Sequence, residues 1–173
     1  MAATPLERLA FIERLWAEAP EVIASIDAPA SAIIAMACLE TGFGTSDHWK
    51  SNNVLFGITA PYKDGWVLPG CQVKDKEWVY LPTQAVKDGP IIQDRFCIAP
   101  DLVHAMVLFR SFLANHPILK SKSGQARLAA ARNDPQQFAK VMAESCLFGA
   151  GNAVAYPRAV MRIIEQENLR RFD

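Results

Sequence analysis

Ala37-Cys38-Leu39-Glu40-Thr41-Gly42-Phe43-Gly44-Thr45-Ser46 is the stretch on which the reading of this chain turns. Upstream, Ser31 can cap a helix from Ala32 to Glu40 whose many alanines let neighbouring backbones approach closely. Thr41-Gly42 then ends it, glycine being a natural left-handed residue after a helix. The helix reads as central and buried, yet its last residue is a glutamate. A carboxylate there meets the negative end of the helix dipole and little water, and both favour its protonated form. That is the state a proton donor needs at neutral pH. The alternative is a glutamate that merely ends a helix and faces solvent.

Working outward, Thr4-Pro5-Leu6-Glu7 reads as a capping box opening a helix to about Glu18, with Leu9, Ile12 and Trp16 as its buried stripe and Pro20 closing it. The short piece from Glu21 to Ile26 also reads as helical. Between Asn52 and Phe96 the pattern shifts to short β-prone runs, at 54–59, 77–81 and 91–96, broken by Pro61, Gly65, Pro69-Gly70, Pro82 and Gly89-Pro90. Helical periodicity resumes after Asp101, a cap for Leu102 to Ala114. Asp134-Pro135 opens another helix to about Ser145, and a last one runs from Pro157 to about Arg170. The expected fold class is α+β, mainly α: one domain over residues 1–173, with a helical lobe and a small β lobe at about 52–98 flanking a cleft.

Composition narrows the function. A chain of 173 residues, 51% hydrophobic, can bury a core without metals or disulfides. With 18 basic and 18 acidic residues the net charge is zero, so no basic field is available to hold nucleic acid or an anionic membrane. No run approaches the ~20 apolar residues that span a bilayer. The N-terminal stretch lacks the basic-then-apolar pattern of a signal peptide, so the expectation is synthesis in the cytoplasm. Cys38, Cys71, Cys97 and Cys146 show no metal or redox spacing and read as small apolar residues, although Cys71 and Cys97 flank the β region and could pair after export. His48, His104 and His116 have no ligand spacing either, and neither metal nor cofactor is expected.

The stretch from Ala37 to Ser46 resembles the A-x-LE-[ST]-G-[WF]-G-x-S signature of the peptidoglycan glucosaminidases, glycoside hydrolase family 73. Asn52-Asn53-Val54-Leu55-Phe56-Gly57-Ile58 is similar to that family's NNLFGI motif with one extra residue. Arg95-Phe96, Asn115-His116-Pro117 and Ala155-Tyr156-Pro157 resemble its later motifs in the same order, so the resemblance spans roughly Phe11 to Leu169. It implies a lysozyme-like fold and an endo-acting β-N-acetylglucosaminidase that cuts the glycan strands of bacterial peptidoglycan. Glu40 would be the catalytic acid and Tyr156 a neighbour that bonds the substrate's acetamido group or orients a water; Asn53 and Phe56 would shape the cleft floor. Phe43 sits where a sugar could approach the carboxyl. Trp49, Trp66 and Trp78 lie in or beside the β region, where they could stack on sugar rings or simply pack the lobe; Trp66 and Trp78 are the chosen candidates.

One departure matters. Many members carry a second carboxylate in a T-x-E-Y motif; here Thr83-Gln84-Ala85-Val86 puts alanine at that position. Glu77, beside Trp78, is the first candidate to replace it, ahead of Asp75 and Asp88. An N-acetylated sugar can also supply its own acetamido oxygen as nucleophile. The competing readings are a muramidase or lytic transglycosylase on the same polymer, and a non-catalytic wall-binding or assembly module. The expected partner is peptidoglycan, reached after delivery by a phage or a secretion system to the wall or periplasm, with an immunity protein as a further potential partner.

Overall fold

The computed structural model describes residues 2–58, 78–83, 92–147 and 152–173, with side chains placed for 2–58, 96–145 and 153–173. The first helix, α1 (Pro5–Glu18), begins as its capping box requires: Thr4 Oγ1 accepts from the Glu7 amide at 3.3 Å, and Glu7 Oε2 accepts from the Thr4 amide at 2.8 Å. Its buried face is Phe11, Ile12 and Leu15 rather than the expected Leu9, Ile12 and Trp16; Leu9 is 48% exposed. Tertiary packing turns the helix. Phe11 meets Trp49 edge to face at 5.7 Å and fills the space over Gly44, where a Cβ would lie 2.6 Å from its ring. Trp16 is half-buried against Phe172. Pro20 ends α1 and also opens α2 (Pro20–Ala24), the shorter form of the helical piece expected to reach Ile26.

The central helix α3 (Ala30–Thr41) is buried along nearly its whole length: Ala32, Ile33, Ile34, Ala35, Ala37 and Cys38 are fully enclosed. A helix apolar on every side must be surrounded, and α1, α2, the helices near the C-terminus and the final turn pack around it. Ser31 does not act as the expected cap. Pro29 takes that position, and Ser31 lies inside the first turn. Asp173 bonds the exposed start instead, its Oδ1 accepting from the Ser31 amide and its Oδ2 from the Ser31 hydroxyl, each at 2.8 Å. A carboxylate at a helix start satisfies an orphan amide and complements the dipole.

After α3 comes a short helix, α4 (Asp47–Asn52), capped by Ser46. Residues 54–58 form no strand, contrary to the sequence reading: Val54, Leu55, Phe56 and Ile58 are all buried in irregular backbone. A short apolar run looks the same in sequence whether it is a strand or a packed connector. The two described strands, β1 (Trp78–Thr83) and β2 (Ile92–Cys97), pair antiparallel from Trp78 opposite Cys97 to Thr83 opposite Ile92. Helices α5 (Leu102–Asn115), α6 (Lys122–Ala130) and α7 (Pro135–Met142) follow, then a π turn (Ala143–Leu147), α8 (Asn152–Gln166) and a final 3-10 turn (Leu169–Phe172). Asp101 caps α5 and Asp134 caps α7 as expected. Two elements, α4 and α6, were not anticipated. The last helix starts five residues before Pro157, which lies inside it.

One continuous core joins these helices, with Phe109, Phe138, Ile33, Ile34, Met106 and Ile164 at its centre. Residues 56–58 are tied to α5 and β2 by Phe56 stacked on Phe109 at 4.0 Å and by the Cys97 amide donating to the Ile58 carbonyl at 2.8 Å. Cys38 and Cys97 are buried, while Cys71 lies outside the described residues. Among the described residues no helix is long and apolar enough to cross a membrane.

Asp173→Ala should therefore cost about 1 kcal/mol of stability, the scale of losing a helix cap. Urea unfolding should show a lower midpoint at an unchanged slope. An unaltered midpoint would contradict the role given to Asp173.

Candidate active site

Glu40 is the penultimate residue of α3, half-buried, one residue from the fully enclosed Thr41. The helix is stopped by a run of three left-handed residues, Gly42 (φ 57°), Phe43 (φ 57°) and Gly44 (φ 77°). Two of the three are glycines because the conformation suits them; Phe43 is not, and its placement costs energy that the surroundings must hold. They hold it with several bonds. The Phe43 amide donates to the Cys38 carbonyl at 2.8 Å, the Ser46 amide to the Thr41 carbonyl at 2.9 Å, and the Thr45 hydroxyl to the Gly42 carbonyl at 2.7 Å. The Arg8 guanidinium, ion-paired with Glu167, lies over the Phe43 ring at 4.2 Å.

From α8, Tyr156 comes to the Glu40 carboxyl with only 7% of its surface exposed. Burial pushes the Glu40 carboxyl up to about 6, and the Tyr156 hydroxyl, donating towards the carboxylate, opposes the shift. Tyr156 is itself pushed up, first by burial and then by the Glu40 charge, and so stays a neutral donor across the physiological range. The arrangement is a carboxylic acid that keeps its proton close to neutral pH, beside a phenol that can bond its ionised form.

The other expected site residues fall differently. Phe43 is part of the turn, one face covered by Arg8. Asn53 is the left-handed end of α4 (φ 50°), and its Nδ2 donates to the Ala99 carbonyl at 2.8 Å, tying α4 to the segment before α5. Phe56 is buried, stacked on Phe109, so it supports the lobe junction from within rather than facing an open surface. Trp49 is likewise buried, against Phe11. Trp78 opens β1 in the position opposite Cys97. Glu77, Trp66, Asp75, Ala85 and Asp88 lie outside the described residues. Arg8 and Thr41 were not singled out in the sequence; the nearest signal is a threonine placed directly between the acid and the glycine.

Among the described residues no cluster of His, Cys, Asp and Glu could hold a metal ion. Two surface cavities, one beside Arg110 and Phe138 and one beside Trp16 and Asp173, are lined by none of the expected site residues.

A family profile described as glucosaminidase, mannosyl-glycoprotein endo-β-N-acetylglucosaminidase, matches residues 16–169. Among solved structures, the catalytic domain of the autolysin Auto from Listeria monocytogenes superposes with a TM-score of 0.73 at 20% identity, covering 100% of this chain and 91% of that one. A peptidoglycan hydrolase mutant from Sphingomonas sp. A1 gives 0.67 at 22% identity, covering 94% and 96%. A type VI secretion system effector–immunity complex from Pseudomonas protegens gives 0.58 at 16% identity, covering 96% and 94%. These likenesses establish the mainly helical, lysozyme-like fold. No curated protein matches the sequence.

The raised acid has a consequence for stability. Because the folded state holds the Glu40 proton more tightly than the unfolded chain, the associated stability is full below about 4.5 and is lost as the pH rises through about 6. Glu40→Gln, which stays neutral, should match the native chain near pH 4 and exceed it by up to about 2 kcal/mol at pH 8. Urea unfolding at the two pH values checks this; equal stability at pH 8 would show that Glu40 ionises without penalty.

Proposed function

The chain belongs to the glucosaminidase family, and from that premise we propose that it is a glycosidase that cleaves the glycan strands of bacterial peptidoglycan, an endo-β-N-acetylglucosaminidase with Glu40 as general acid. The observation that carries the assignment is the half-buried Glu40 at the end of a buried helix, facing Tyr156 and holding its proton up to about pH 6. The naming of the Listeria and Sphingomonas neighbours as an autolysin and a peptidoglycan hydrolase supports the choice of polymer.

Protonated Glu40 gives its proton to the glycosidic oxygen as the bond to the anomeric carbon breaks. The positive charge that develops on the sugar needs a second group. The acetamido oxygen of the N-acetylated sugar supplies it through an intramolecular attack that water later reverses, with Glu40 then acting as base. Tyr156 steadies the carboxylate between the two steps. The rival for the second role is Glu77, in the lobe where Ala85 stands at the T-x-E-Y position. The site of action is the wall, reached by a delivery system, and the effector–immunity neighbour supports an immunity protein as partner.

Digestion of purified sacculi followed by mass spectrometry tests the assignment: fragments should carry reducing N-acetylglucosamine ends. Reducing or anhydro N-acetylmuramic acid ends would make the enzyme a muramidase or a lytic transglycosylase. Glu40→Gln should lose all measurable cleavage while remaining folded, and a variant keeping a tenth of native turnover would remove Glu40 from the role. With the acid at about 6, kcat/KM should fall tenfold per pH unit above that value; a rate still rising at pH 9 would contradict it. Tyr156→Phe should cost roughly 10- to 100-fold, and Glu77→Gln little. A dead Glu77→Gln beside an active Tyr156→Phe would replace substrate assistance with a two-carboxylate mechanism.

A further inference from the structure

The residue directly after Glu40 does something that an ordinary helix-ending threonine does not. Thr41 is fully enclosed, and its hydroxyl is used twice: it donates to the Ala37 carbonyl at 2.7 Å and accepts from the Gly44 amide at 2.9 Å. One oxygen thus fastens the last turn of α3 to the far end of the left-handed run 42–44. The run is boxed in from outside as well, by the Phe11 ring against Gly44 and by the Arg8 guanidinium over Phe43. A conformation that includes a left-handed phenylalanine persists only where its surroundings over-determine it. The hydroxyl reaches the run from inside the last turn of α3, next to the acid itself.

Glu40 stands in α3 immediately before this knot, and its carboxyl meets Tyr156 from a different helix. We infer that Thr41 is a positioning residue for Glu40: its buried hydroxyl locks the left-handed turn and thereby aims the carboxyl at Tyr156. The inference rests on Glu40 being the catalytic acid. A side chain that does no chemistry can still set the rate, because a proton donor displaced by about 1 Å can lose about 100-fold.

The test uses Thr41→Val, which keeps the shape and removes the hydroxyl, and Thr41→Ser, which keeps the hydroxyl and removes a methyl group. Thr41→Val should lower kcat about 10- to 100-fold with KM changed less than threefold, and should move the Glu40 titration followed by carboxyl carbon NMR in the absence of substrate. Thr41→Ser should keep kcat within about threefold and leave the Glu40 titration in place, even if its melting temperature drops as the buried methyl is lost. If Thr41→Val does not fold, Thr41→Ala, which adds no atom to the enclosed site, is measured in its stead at low temperature with the same readouts. Native kcat and an unmoved Glu40 titration in the hydroxyl-free variant would overturn the inference. So would a Thr41→Ser variant as slow as Thr41→Val, since the methyl rather than the hydroxyl would then matter. Glu40→Gln run alongside separates the two claims: activity retained in Glu40→Gln defeats the assignment of the acid, whereas a dead Glu40→Gln with an unaffected Thr41→Val defeats only the positioning role.

Discussion

A helix with no solvent-facing side is the constraint around which this molecule is arranged. From Ala32 to Cys38 every residue of α3 is enclosed, so the chain must supply neighbours on all sides, and it does so with α1, α2, α7, α8 and the final turn. Such a helix has two ends that cannot be left bare. At its start the amide and hydroxyl of Ser31 are met by Asp173; at its finish the carbonyls of Cys38 and Leu39 are met by amides of the left-handed turn. Burial of the middle is what keeps water from the carboxyl at the end. A carboxylate carried out of a buried helix is only half returned to water, and it holds its proton accordingly.

The same arrangement sets stability against function. Ionised Glu40 is an expense the fold carries above pH 6, and Phe43 in a left-handed conformation is another. Both sit within a few residues of each other, directly after the enclosed stretch of α3. Strain concentrated at a reacting group and held by a rigid scaffold is a common arrangement at functional sites. Here the scaffold is visible residue by residue: Phe11 against Gly44, Arg8 over Phe43 with Glu167 behind it, and the Thr41 hydroxyl between Ala37 and Gly44.

The connector at residues 53–58 follows a different logic. Asn53, Phe56 and Ile58 resemble family motif residues, and the sequence reading gives Asn53 and Phe56 the floor of a cleft. Their side chains and backbone build a seam: Asn53 bonds the Ala99 carbonyl, Phe56 stacks on Phe109, and Ile58 accepts from Cys97. The seam holds residues 53–58 against α5, Cys97 and Ala99. Packing residues of this kind affect a site by orienting its walls.

Local interactions account for what the sequence determined by itself. The capping box at Thr4 and Glu7, the caps at Asp101 and Asp134, the end of α3 at Gly42 and the placement of an acid at the close of an apolar helix each involve residues within four positions of one another. They could be read because the groups that satisfy a helix end lie in the same short stretch of chain. The resemblance of ordered motifs carried the fold class in the same way. Contacts between distant parts of the chain were decided only by tertiary structure. Leu9 and Phe11 compete for the buried face of α1, and Phe11 wins because Gly44 leaves room for its ring. Ser31 looks like a cap in sequence, yet its partner is Asp173 at the other end of the chain. Residues 54–58 look like a strand, yet they are a buried connector. Glu40 could have faced solvent; its pKa is raised because the core and α8 close over it, against the opposing bond from the Tyr156 hydroxyl. Desolvation depends on what the rest of the chain packs against a group, and no window of sequence around that group contains this information.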